Sequence, residues 1–106
     1  MSEKRRHPRV SWLVDGQVWC RDEDVYWDVR VTDISEGGCF VDTLVPLSEG
    51  SPVSLKANDL SGMPMDIPGR IVYGQPTIGS AIAFDTLDPN LRLQLQKIVA
   101  AGQTGS

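Results

Sequence analysis

The sequence predicts an all-β fold, a six-stranded antiparallel β-barrel with a C-terminal α-helix, on three observations. Apolar and polar residues alternate with a period of two over most of the chain, turn-forming residues interrupt that alternation at short intervals, and a period of three to four occurs once, near the C-terminus. A chain of 106 residues makes one small domain. That leaves little material for a scaffold and an elaborate catalytic apparatus together.

Val10, Trp12, Val14, Gly16, Val18 and Cys20 alternate with Ser11, Leu13, Asp15, Gln17 and Trp19, which predicts a long first strand. Val25, Trp27, Val29 and Val31 repeat the pattern against Tyr26, Asp28, Arg30 and Thr32. The polar Asp22-Glu23-Asp24 between the two runs makes them an antiparallel hairpin. After Gly37-Gly38, Cys39 to Leu44 is the third strand, with Phe40 and Leu44 opposing Cys39 and Val41, and Ser48 to Pro52 punctuates it. Val53, Leu55 and Ala57 form a shorter fourth strand, followed by a loop from Asn58 to Pro64. Ile67 to Tyr73 and Ile78 to Phe84 are a second hairpin across Gly74-Gln75-Pro76-Thr77. Six short strands with no helix between them close, or nearly close, on themselves.

The helix is signalled by Asp88 as N-cap, Pro89 in the first helical position, apolar Leu91, Leu95, Ile98 and Val99, and Gly102 as terminator. It is expected to cap one opening of the barrel or to pack on its outside. The organisation read from these signals is a basic arm over residues 1–9, the barrel with its helix over 10–101, and a frayed tail over 102–106.

The charge is unevenly placed. The chain is formally −4 at pH 7, yet Lys4, Arg5, Arg6 and Arg9 against Glu3 make residues 1–9 +3, which leaves −7 for the rest. A binder of long nucleic acid spreads basic charge over a face, whereas one compact cluster suits a small anion. No apolar run approaches the roughly 18 residues of a membrane span, and no apolar stretch follows Met1 to Arg6 that could act as a signal peptide. The chain is therefore read as soluble and cytoplasmic, with no membrane insertion.

Catalysis is dismissed on inventory. The single histidine, His7, would have to reach Asp33 and Ser35 to build a nucleophilic triad, which needs mutual hydrogen-bond reach in a fixed line. Cys20 and Cys39 are far apart, lack CxxC partners and share the parity of apolar neighbours, so they read as buried reduced thiols rather than metal ligands. Asp22 and Asp24 belong to a solvated turn. No enzymatic activity, metal or cofactor is expected.

Two motifs remain. Arg5-Arg6-His7-Pro8-Arg9 has an RxxxR spacing just before the first strand, stiffened by Pro8. Asp33-Ile34-Ser35-Glu36-Gly37-Gly38 has a DxSxxG pattern at the end of the second strand, and parity expects Asp33 and Ser35 on the inward face. One reading is a turn in which Asp33 and Ser35 bond the backbone of Gly37 and Gly38, whose missing side chains permit positive φ. The other is a ligand site. A carboxylate accepts two hydrogen bonds from the N1 and N2 edge of guanine, glycines let backbone N–H groups approach closely, and arginine forks match guanine O6/N7 or phosphate.

Arg5-xxx-Arg9 followed by Asp33-x-Ser35-xx-Gly38 on a small β-barrel resembles the PilZ domain, a bacterial receptor module for cyclic di-GMP. The resemblance extends to the Gly69-Arg70-Ile71-Val72-Tyr73 and Ile78-Gly79-x-Ala81-Ile82-Ala83-Phe84 strands and to the closing helix. It implies a non-enzymatic receptor that holds cyclic di-GMP through Arg5, Arg9 and an assisting Arg6, with Asp33 and Ser35 bonding the ligand and Gly37 and Gly38 keeping the site open. Binding would order the arm and relay the message to an unidentified effector protein, the chain acting alone as monomer or ligand-dependent dimer. Motility, biofilm formation, exopolysaccharide production and virulence are all processes such modules regulate, and nothing in these residues selects among them. Two other readings stay open: an interaction barrel that binds no nucleotide, and a single-stranded nucleic-acid binder, which the acidic body disfavours.

Overall fold

The computed structural model describes residues 8–43 and 47–104. Arg5, Arg6, His7 and Leu44 lie outside the described residues. The elements are β1 (Val10–Cys20), β2 (Val25–Ile34), β3 (Gly38–Asp42), β4 (Pro52–Asn58), β5 (Pro64–Gln75), β6 (Gly79–Phe84) and α1 (Pro89–Thr104). The strands form a closed barrel in the order β1-β2-β3-β6-β5-β4, every neighbour antiparallel. The expected fold class is thus the observed one. β5 is longer than the sequence suggests because Pro64 occupies its first position, where a ladder N–H is dispensable.

β1 alternates as expected, with Val10, Val18 and Cys20 buried. β2 does not. Val29 and Val31 are buried, but Val25 and Trp27, expected on the same inward face, are 37% and 41% exposed. The reason is non-local: β3 pairs with β2 only from Arg30 to Ile34, so among the described residues nothing covers the first half of β2. A second departure lies at the other end of the strand. The β2–β3 register shifts between Val31 and Asp33, one extra β2 residue being accommodated as a bulge. The alternation slips by one, so Ile34 enters the core and Asp33 stays half-buried on the outside, against the parity expectation.

The interior is one continuous cluster that includes Val31, Ile34, Val41, Leu55, Ile67, Ile71 and Ile82. Cys20 and Cys39 are free and buried within it, as expected. Burial pushes the Cys39 thiol far up, with the nearby Asp33 charge adding to the shift and Arg9 opposing it.

The helix caps one end of the barrel, since Leu91, Leu95, Ile98 and Val99 join the same cluster. Asp88 is the N-cap, its Oδ1 accepting from the Leu91 N–H at 2.9 Å. Gly102 does not terminate the helix, which continues to Thr104, so the expected tail boundary at 102 is corrected. A Cβ at Gly102 would lie 2.6 Å from the Val10 Cβ, and the glycine serves to bring α1 against the start of β1. Asp59 ties the β4–β5 loop to this end. Its carboxylate accepts from Gln94 Nε2 at 2.8 Å and from the Ser61 and Met63 N–H groups at 2.9 Å each. These donors, the Gln94 amide foremost, hold its pKa down to about 2.

At the opposite end of β1, Trp19 stacks on Tyr26 with ring centroids 5.9 Å apart and planes 13° from parallel. Lys56 Nζ lies 5.8 Å from the Trp19 ring, and the Trp19 indole N–H donates to Asp24 at 2.9 Å. The terminal helix, packed against Val10, does not cover this pair.

Candidate ligand-binding site

The β1–β2 ladder pairs Val10 with Ile34 and Ser11 with Asp33, which brings Arg9 beside Asp33. Arg9 Nε lies 3.5 Å from Asp33 Oδ1, the two side chains being 37% and 28% exposed. That distance exceeds the roughly 2.7–2.9 Å of a charge-assisted hydrogen bond. Asp33 Oδ1 is itself buried with no hydrogen-bond partner. The two groups therefore attract one another electrostatically, and the Asp33 oxygen keeps its hydrogen-bonding capacity unused among the described residues, an uncommon state for a buried polar atom.

Ser35 does different work from Asp33. Its Oγ accepts from the Gly37 and Gly38 N–H groups at 3.1 and 3.2 Å, and its own N–H donates to the Gly38 carbonyl at 2.8 Å. The turn reading is thus right for Ser35, which is buried, whereas Asp33 makes no such bond. The turn is anchored to the neighbouring strand by the Phe84 N–H, which donates to the Gly37 carbonyl at 2.9 Å. Gly37 and Gly38 do not adopt positive φ. Gly38 is required for another reason: a Cβ there would sit 2.3 Å from the Ile82 carbonyl oxygen of β6.

This close approach shapes the outer face of β3, β6 and β5. Cross-strand pairing puts Gly38, Ala83 and Arg70 in one row and Phe40, Ala81 and Tyr73 in the next. Small residues in the middle of both rows leave a shallow trough, with Arg70 at one margin and the Phe40 and Tyr73 rings, 6.4 Å apart, at the other. A cavity of 240 Å³ in this trough is lined by Arg9, Ser35, Gly38, Tyr73, Ala81 and Ala83, among others. Its size suits one planar ring or one phosphate, below the roughly 300–1,000 Å³ of pockets that enclose a whole small-molecule ligand. A larger ligand there would lie across the surface. Among the described residues no cluster of three His, Cys, Asp or Glu could hold a metal ion.

The sequence model of the PilZ domain matches residues 3–101. The chain belongs to the PilZ domain family. Solved structures agree on the fold. The PilZ domain of YcgR from Escherichia coli, determined with c-di-GMP, superposes with a TM-score of 0.75 at 20% identity, over 97% of this chain and 94% of that one. The PilZ domain of CeSA from a cellulose-synthesizing bacterium gives 0.70 at 21% identity, over 89% and 96%. The MrkH–c-di-GMP complex of K. pneumonia gives 0.75 at 16% identity, with 95% of this chain covering 53% of that one. No curated protein sequence matches.

In this PilZ domain the structure brings Arg9, Asp33, Ser35, Gly37 and Gly38 to one side of the barrel, next to the trough. Arg5 and Arg6 are outside the described residues. Sequence reasoning did not single out Arg70, Tyr73, Ala81 and Ala83 as site residues. They lie in the two strands that share in the family resemblance, and the alternation of small Ala81 and Ala83 with Ile82 is visible in the sequence but acquires meaning only when Gly38 is placed beside it.

Proposed function

We propose that this PilZ domain is a non-enzymatic receptor for cyclic di-GMP. The observation that carries the reading is the approach of Arg9 to Asp33, which joins the two separate motifs at one place, with a buried carboxylate oxygen that has no hydrogen bond among the described residues. Such an oxygen is suited to the N1 and N2 donors of a guanine edge, and the Arg9 fork to a phosphate or to the O6/N7 edge. Arg5 supplies the second arginine of the RxxxR motif and Arg6 assists it. Ser35 holds the turn, and Gly37 and Gly38 keep the approach to the trough free of side chains. The relatives solved with c-di-GMP support this ligand.

The message passes to an effector protein through the arm, residues 1–9, which ligand draws onto the acidic barrel. Ligand must favour that arrangement over the free one, since equal affinity for both would transmit nothing. The described helix is not long and apolar enough to cross a membrane, and the proposed setting is the cytoplasm. Motility, biofilm formation and exopolysaccharide production are candidate outputs.

Isothermal titration with cyclic di-GMP tests the reading. Binding by the wild-type chain is expected, with Arg9→Ala and Asp33→Ala each weakening it by more than about 1 kcal/mol. Unaltered affinity in both variants would overturn the site, and no binding by the wild type would overturn the function.

A further inference from the structure

The trough has a margin that neither sequence motif supplies. The β5–β6 register shifts between Ile71, which faces Ile82, and Tyr73, which faces Ala81, so Val72 is an extra residue in β5. Strict alternation from the buried Ile71 would point Tyr73 into the core. The bulge turns it outward instead, where it is 41% exposed and lines the trough with Ala81. Asp33 is turned outward by the same device in β2. The two bulged strands flank β3 and β6, and they aim a phenol ring and a carboxylate at one face of the barrel. Phe40 backs the Tyr73 ring in space left by a glycine, since a Cβ at Gly79 would lie 2.7 Å from Phe40 Cε2.

Arg70 stands on the same face. It is two strands from Gly38 by way of Ala83, a span of about 10 Å at ordinary strand spacing. The barrel's other described cations lean on carboxylates: Arg9 on Asp33, Arg21 on Asp85, Arg30 on Asp15 and Lys56 on Asp66. Among the described residues Arg70 has no such partner, in a chain that is acidic overall, and it is exposed.

On the reading of this domain as a cyclic di-GMP receptor, we propose that Arg70 and Tyr73 form the second half of the ligand site. The ligand carries two guanines and two phosphates, and Arg9 with Asp33 meets the edge of only one guanine. A base lying on the Ala81 and Ala83 floor, where 240 Å³ accepts one planar ring, has the Tyr73 ring against it. The Arg70 fork then reaches a phosphate or the O6/N7 edge of that base. The floor is suited to this because alanine side chains let a flat ring come close to the sheet. Labour is thereby divided: the motifs read a guanine edge, and β5 supplies ring contact and positive charge.

The test is isothermal titration of the full chain with cyclic di-GMP, with Arg9→Ala as the reference variant. Arg70→Ala and Tyr73→Leu are each expected to weaken binding about tenfold, and Tyr73→Phe to stay within about twofold of the wild type. Both side chains are exposed, so the ligand-free variants should melt like the wild type. In proton NMR a guanine H8 signal should move upfield on binding to the wild type and to Tyr73→Phe but not to Tyr73→Leu, an effect of the ring itself that a merely structural role would not produce. Wild-type affinity in Arg70→Ala or Tyr73→Leu while Arg9→Ala binds weakly would overturn the proposal and leave the receptor reading standing, as would an H8 shift that persists in Tyr73→Leu. No binding by the wild type would overturn both.

Discussion

The two halves of β2 are made of similar residues and meet opposite fates. In Arg30–Ile34 the strand is paired on both edges, Val31 and Ile34 are fully buried, and a bulge turns Asp33 outward to meet Arg9. In Val25–Val29 the same strand is paired on one edge among the described residues, and Val25 and Trp27 are 37% and 41% exposed. Hydrophobicity does not distinguish the halves, since Val25 and Val31 are the same residue type. The reach of β3 does: its strand ends at Asp42, opposite Arg30, and burial along β2 fades just beyond that point, Val29 being the last buried side chain before the exposed Trp27 and Val25. The half paired on both edges is thereby held in place to position the candidate ligand site.

Substitutions at matched places should sharpen this contrast. Ile34→Ala removes a fully buried side chain beside the site and should cost ~2–5 kcal/mol in urea denaturation. Gly38→Ala forces a Cβ toward the Ile82 carbonyl and must separate β3 from β6, at a cost of about 1–3 kcal/mol as for other overpacked positions. A Gly38→Ala protein as stable as the wild type would show that the trough's floor tolerates a side chain. Val25→Ala, in the uncovered half, should stay within ~0.5 kcal/mol of the wild type, as surface changes do. A loss there as large as at Ile34 would mean that the outer half is covered in solution, and the contrast would collapse.

Much of the site was legible because its motifs are local. Ser35, Gly37 and Gly38 are neighbours in the chain, and a hydroxyl followed by two glycines describes a turn without help from the rest of the fold. Asp33 was legible as a residue out of place and illegible as to where it points. Its orientation depends on a one-residue bulge against β3, and a bulge changes the pairing partner rather than the composition. The positive φ that the turn reading allowed Gly38 is absent for a similar reason. Glycine is selected equally well by left-handed backbone and by a neighbour too close for a Cβ, and only the distance to Ile82 separates the two. Gly102 repeats the case, where a residue that looks like a helix stop is the point of contact between α1 and β1.

By itself the sequence determined six antiparallel strands, a capped C-terminal helix, two buried thiols and a basic arm set against an acidic body. These follow from periodicity, capping chemistry and charge, all of which act over a few residues. The tertiary structure alone decided which half of β2 is core, which way Asp33 faces, and that small residues from three strands line up into a trough beside Arg9. Those outcomes depend on the length and register of strands distant in the chain, and hydrogen-bonded pairing between them leaves no trace in either strand's own alternation.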